Sequence, residues 1–124
     1  EKANRVSGNY LVMEHNRLNA YHIMWLFVFF DLPTNTKKER KAAARFRKEL
    51  MQDGFTMMQY SVYVRHCASK ESGEVHIKRI KSIIPDKGQV SILAITDKQY
   101  GDIINYWGIK ETPLPTGPKQ LEIF

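Results

Sequence analysis

The chain of 124 residues is 43% hydrophobic and 26% charged, which supports one domain with its own core and excludes a disordered or low-complexity chain. Lysine and arginine number 19 against 13 acids, a net charge of +6, so a polyanion (nucleic acid or an acidic membrane surface) is the first partner to weigh against a merely soluble basic protein. The single cysteine, Cys67, excludes an internal disulfide and has no CxxC neighbour for zinc, which suits a reducing cytoplasm.

Residues 1–12 carry neither a clear period nor helix caps, and Met13 reads as the natural start, so residues 1–22 are taken as an N-terminal extension. Residues 23–30 read as a strand rich in aromatic and branched side chains, closed by Pro33 and far too short to span a membrane. Alternation puts Met24, Leu26, Val28 and Phe30 on one face and Trp25, Phe27, Phe29 and Asp31 on the other, so both faces are apolar. Asp31, at the end of this strand, is the first candidate site residue.

A helix follows. Thr36 and Glu39 form a T-x-x-E capping box, Gly54 is the stop, and Ala43, Phe46 and Leu50 recur as a core stripe. Lys37, Lys41, Arg45 and Lys48 lie on another row, with Arg40 and Arg47 beside it. Between positions 37 and 49 there are 7 cations and 2 acids. A solvated helix face ordinarily mixes its signs; this one reads as a cationic ridge.

Residues 55–67 have strand composition, and the polar positions 59–61 are expected to break them into a hairpin or bulge. A second amphipathic helix carries Ile77, Ile80 and Ile84 as its core stripe and ends at Pro85. After the turn "DKGQV", residues 90–96 form a strand and residues 97–106 a short helix before Gly108. The proline-rich "TPLPTGP" resists regular structure, and residues 120–124 are a last strand candidate. The predicted domain is thus 23–108, with 109–124 as a tail bearing an edge strand.

Strand, helix, strand, strand, helix, strand is the order of an α+β, ferredoxin-like βαββαβ domain, both helices covering one side of an antiparallel sheet. The other side is expected to lie bare, and its apolar surface predicts a two-fold homodimer. If the axis runs near the end of the first strand, two Asp31 carboxylates at about 4 Å repel by roughly 4 kcal/mol at an effective dielectric near 20. A shared proton, a cation such as Arg40, or a hydrated magnesium or manganese ion would offset this, and such a metal could activate water against a phosphodiester. The competing reading of Asp31 is a cap for the turn that follows. The four histidines show no metal-ligand spacing and read as structural or exposed, and no Ser-His-acid set or phosphate loop is present. Ser61 and Tyr63 read as strand positions.

"FFDLPTNTKKERKAAARFRKEL", "DGFTMMQYSVYVRHC" and "GQVSILAITDKQYG", in that order, resemble CRISPR-associated protein two, particularly its shorter type II relatives, over residues 25–108. The resemblance implies a ferredoxin-like homodimer whose strand-one aspartate, matched by Asp31, lies near the two-fold and can share a divalent metal. It implies a place between dimers of the integrase, CRISPR-associated protein one, holding a double-stranded DNA prespacer, with the tail strand added to a sheet edge. Arg40, Lys41, Arg45 and Arg47 match the family's basic positions, and together with Lys37 and Lys38 of the same helix they are the candidate nucleic-acid contacts. Phe30 stands where many members have tyrosine, and Leu32-Pro33 replaces a more polar turn. Two functions follow: a basic scaffold for spacer acquisition, or a magnesium-dependent endonuclease acting on RNA or DNA through Asp31. An RNA-recognition module requires an aromatic RNP signature that "SVYVRHC" lacks.

Overall fold

The computed structural model describes residues 24–116; Met13, His15, His22 and the expected strand at 120–124 lie outside them. The elements in chain order are β1 (Met24–Asp31), α1 (Lys37–Gln52), β2 (Thr56–Gln59), β3 (Val62–Cys67), α2 (Lys70–Ile83), β4 (Gln89–Thr96), α3 (Asp97–Gly101), β5 (Asn105–Trp107) and β6 (Lys110–Thr112). β1 to β4 make one antiparallel sheet in the order β2-β3-β1-β4. This is the ferredoxin-like α+β arrangement expected from the sequence.

α1 starts where its capping box puts it. Glu39 N donates to Thr36 Oγ1 at 3.1 Å while Thr36 N donates to Glu39 Oε1 at 3.0 Å, which satisfies two otherwise orphaned amides. It ends at the Asp53 cap, and Gly54 takes the left-handed φ of 93° that releases the chain toward β2. Ala43, Phe46 and Leu50 are buried as their spacing requires. Phe46 and Leu50 meet Leu26, Val28 and Phe30 of β1, with Ile80 of α2 closing the same cluster, and the Phe30 and Phe46 rings pack edge to face at 5.1 Å. Both helices therefore cover one face of the sheet.

Three expectations are corrected. The core residues of α2 are Gly73, His76 and Ile80, with Ile77 and Ile83 partly buried, whereas Ile84 is the exposed C-cap; Pro85 disfavours helical backbone at the residue before it and turns Ile84 away. The helix expected over residues 97–106 ends at Gly101, and residues 105–107 instead pair with β6 across Gly108, whose φ is +64°. A tight turn needing positive φ explains the glycine better than a helix stop does. Third, the second sheet face is only partly bare. The Tyr100 ring stacks on Trp25 at 3.7 Å and its hydroxyl donates to Pro115 O at 2.7 Å, while Trp25 Nε1 donates to Asp97 Oδ1 at 2.8 Å. Burial pushes the Tyr100 hydroxyl up to about 12, so this latch stays protonated. Phe29 and Leu93, farther along the same face, are exposed.

Candidate nucleic-acid interface

β1 leads outward to Asp31, its last residue, which is exposed and opposite Gln89 of β4. The turn after it is held by other groups. Asn35 N and Thr36 N both donate to Glu39 Oε1, at 2.9 and 3.0 Å, and Arg40 Nη1 donates to Thr34 O at 3.0 Å. The capping reading of Asp31 is thus filled by Thr36, Glu39 and Arg40. Among the described residues the Asp31 carboxylate joins no hydrogen bond or ion pair.

The Asp31 backbone is braced from the β4 side. A Cβ on Gly88, at φ +102°, would sit 2.8 Å from Asp31 O and 2.7 Å from Leu32 Cδ2. Gly88→Ala should therefore cost about 1–2 kcal/mol from the left-handed backbone alone and more from the clash, lowering the denaturation midpoint in a chemical melt.

The six basic candidates divide into three groups. Lys37, Lys38 and Lys41 are exposed on the first turns of α1, and Lys48 continues the row. Positions 37, 41 and 45 advance by about 6 Å per step along the axis. Arg45 is exposed and pairs with Glu49 at 3.4 Å, an i,i+4 contact of small energy in water. Arg40 is exposed but bound to the loop carbonyls, and Arg47 turns toward the sheet, donating to Tyr60 O. The structure thus gathers Lys37, Lys41, Arg45 and Lys48 on the exposed face of α1, with Lys38 and Arg45 at its edge beside the cleft to α2, and gives Arg40 and Arg47 local partners.

A second polar cluster sits about 24 Å along the 16-residue helix from that end. Asp53 accepts from His76 Nδ1 and from Arg79 Nη1, each at 2.7 Å, and Arg65 Nε donates to His76 Nε2 at 3.0 Å. Burial raises the Asp53 carboxyl, but the hydrogen bonds from His76 and Arg79 and the Arg79 charge outweigh it and leave the pKa below the usual carboxylate value. Nothing in the spacing of positions 53, 65, 76 and 79 announces the cluster. The only hint is a histidine on the apolar stripe of α2. It ties α1, β3 and α2 together. Burial pushes the Cys67 thiol up, with Arg65 opposing, which keeps it protonated.

No group of three or more His, Cys, Asp or Glu that could hold a metal occurs among the described residues. One chain offers a hard dication a single carboxylate at Asp31, short of the six oxygens that magnesium requires. A metal there fits only if it is shared by two chains and keeps most of its waters.

The βαββαβ order, two helices on one sheet face, a strand-end acid and a basic first helix define a small ferredoxin-like protein with a cationic helix face. The sequence matches the family described as CRISPR associated protein Cas2 over residues 24–103, and the chain belongs to that family. The CRISPR-associated endoribonuclease Cas2 of Parvibaculum lavamentivorans is 57% identical over 101 residues, 82% of this chain and 100% of the relative. Its namesakes in Flavobacterium psychrophilum and Paracidovorax avenae are 49% and 41% identical, over 89% and 86% of this chain and 96% and 99% of theirs. No described helix is long and apolar enough to cross a membrane.

Proposed function

We propose that this protein is a dimeric nucleic-acid-binding subunit of CRISPR spacer acquisition, working in the cytoplasm as a basic platform that holds a prespacer duplex between integrase dimers. The observation that carries this is the exposed row Lys37, Lys41, Arg45 and Lys48 on α1, one sign of charge at phosphate-accessible positions. Such contacts bind by counterion release and are largely indifferent to sequence. Dimerisation is supported by Phe29 and Leu93, exposed on the second sheet face, and by Trp107 and Ile109 on the β5–β6 hairpin, 83% and 98% exposed. An axis through that face brings the two Asp31 residues toward each other.

The second reading is an endonuclease, favoured by the endoribonuclease names of the relatives and by the exposed, unpartnered Asp31 carboxylate. Two Asp31 residues would hold a magnesium or manganese ion, which when bound supplies an acidified water. One carboxylate per chain is sparse for hydrolysis, and the scaffold is the stronger reading.

The two separate on Asp31→Ala. The variant should bind a duplex with wild-type affinity and wild-type salt dependence in a gel-shift titration and support wild-type spacer acquisition. Magnesium-dependent cleavage that disappears in the variant while binding persists would establish the enzyme; cleavage that survives would exclude Asp31 as its ligand. A monomer by sedimentation would remove the shared metal and the platform together.

A further inference from the structure

The turn between β2 and β3 holds an aromatic ring in an unusual position. Tyr60 is 72% exposed, yet one side of its ring is covered, because the Arg47 guanidinium lies 3.7 Å from the ring centroid. Arg47 is fixed there from several directions. It donates to Tyr60 O, its Nη2 is 3.5 Å from Ser61 Oγ, and behind it lies the buried Phe30 ring at 4.8 Å. The turn itself is tied to β1 by Phe30 N donating to Ser61 O at 3.1 Å. Phe30, Arg47 and Tyr60 thus form a stack that starts in the core and finishes on an aromatic face open to water. The register shift between Met57 and Gln59 bends β2 just before it, as bulges do where a side chain is re-aimed.

Burial does not account for this placement, since a ring on a loop tip gains little apolar cover. A cation on the inner face does, and it holds the outer face flat and pre-oriented. That face lies at the Phe30 end of β1, on the flank of α1 where Arg40 is held by Thr34 O and Arg47 by Tyr60 O. A fixed, open aromatic ring on a chain of net charge +6 is the base-stacking part of a single-strand binding site, where unpaired bases stack on aromatic faces and the backbone follows the positive surface. A duplex gains nothing from such a ring, because its bases are already stacked on one another.

We propose that Tyr60, backed by Arg47, is a stacking platform for an unpaired nucleobase on the helix side of the sheet at the Phe30 end of β1, so that this surface takes a single-stranded segment of RNA or DNA. This rests on the nucleic-acid reading above and adds a base-contacting residue to it. Arg47 then acts through Tyr60 as a positioning residue.

The test uses the full chain with single-stranded oligonucleotides carrying 2-aminopurine and a blunt duplex of equal length, at one fixed salt concentration. Tyr60→Ala should weaken single-strand binding by roughly tenfold and abolish the quenching of 2-aminopurine, while duplex affinity stays within about twofold of wild type, the range of a neutral surface change. Tyr60→Phe, which keeps the ring, should behave as wild type in both assays. Tyr60→Leu, which keeps an apolar cover on Arg47, should behave as Tyr60→Ala and serves if the alanine variant does not fold. Unchanged quenching in the alanine and leucine variants, or equal losses on single strand and duplex, overturns the platform and leaves the basic helix intact. A wild type that binds neither probe overturns the nucleic-acid reading and the platform with it.

Discussion

Reversing Lys37, Lys41, Arg45 and Lys48 together to glutamate is expected to abolish duplex binding, with affinity falling at least about a hundredfold near 0.1 M salt. Each phosphate contact contributes about 0.9 to the slope of log affinity against log salt, so removing four should flatten that slope by three to four. The four side chains are exposed on one face of α1, so the fold should survive. The local cost is a few tenths of a kcal/mol, chiefly repulsion of Glu49 once Arg45 is lost. The matched control reverses four cations of similar exposure elsewhere, Lys70, Lys78 and Lys81 on α2 and Lys87 in the turn after it, to glutamate. Equal losses from the two sets, measured by salt-titrated fluorescence anisotropy, would mean that net charge rather than the α1 ridge holds the nucleic acid.

The largest stability effect is expected at Asp53. Its side chain is 14% exposed and that of His76 only 6%, so Asp53→Ala leaves a buried imidazole without its acceptor and frees Arg79 from α1. The expected loss is about 2–3 kcal/mol, most of it from His76, because the Arg79 side chain is 60% exposed and its pair is screened by water. The pH dependence has a definite sign. The folded carboxyl has a pKa below its ordinary value, so the unfolded state takes up its proton first as pH falls. The stabilisation is complete above roughly pH 4 and is lost as pH drops through the folded pKa. Wild type should therefore lose stability below about pH 4 more steeply than Asp53→Asn, compared by urea melts at successively lower pH. Parallel curves would show that the network contributes nothing through charge.

The two predictions concern opposite ends of one helix, and they differ in how far the sequence announces them. The row Lys37, Lys41, Arg45, Lys48 is visible because a helix repeats every 3.6 residues and Thr36, Glu39 and Gly54 mark its ends. Asp53, Arg65, His76 and Arg79 come from α1, β3 and α2, and no local period links them. The same distinction separates the basic candidates from one another. Spacing places Arg47 beside the ridge, but the β2–β3 turn presents Tyr60 O and an aromatic ring to it, and the guanidinium follows those partners. Tyr60 itself gives no sequence signal beyond its place in a polar interruption at positions 59–61, which was legible as a break and nothing more.

The apolar faces show a similar limit. Alternation in β1 assigns Leu26, Val28 and Phe30 to one side and Trp25 and Phe27 to the other, and both assignments stand. It does not say that Tyr100 and Leu114 return to cover Trp25 and leave Phe29 and Leu93 open. That depended on ending α3 at Gly101, four residues before a hairpin that the pattern of residues 97–106 conceals.

The sequence by itself determined the first six elements, the βαββαβ order, the family and the sign of the helix surface, because period, caps and motifs act between residues close along the chain. Only the tertiary structure decided which cations keep their charge outward, which acid locks the helices together, and where an aromatic ring stays open over Arg47 at the Phe30 end of β1. Those outcomes depend on partners brought together from distant positions, where hydrogen-bond geometry and burial choose among side chains that composition makes equivalent.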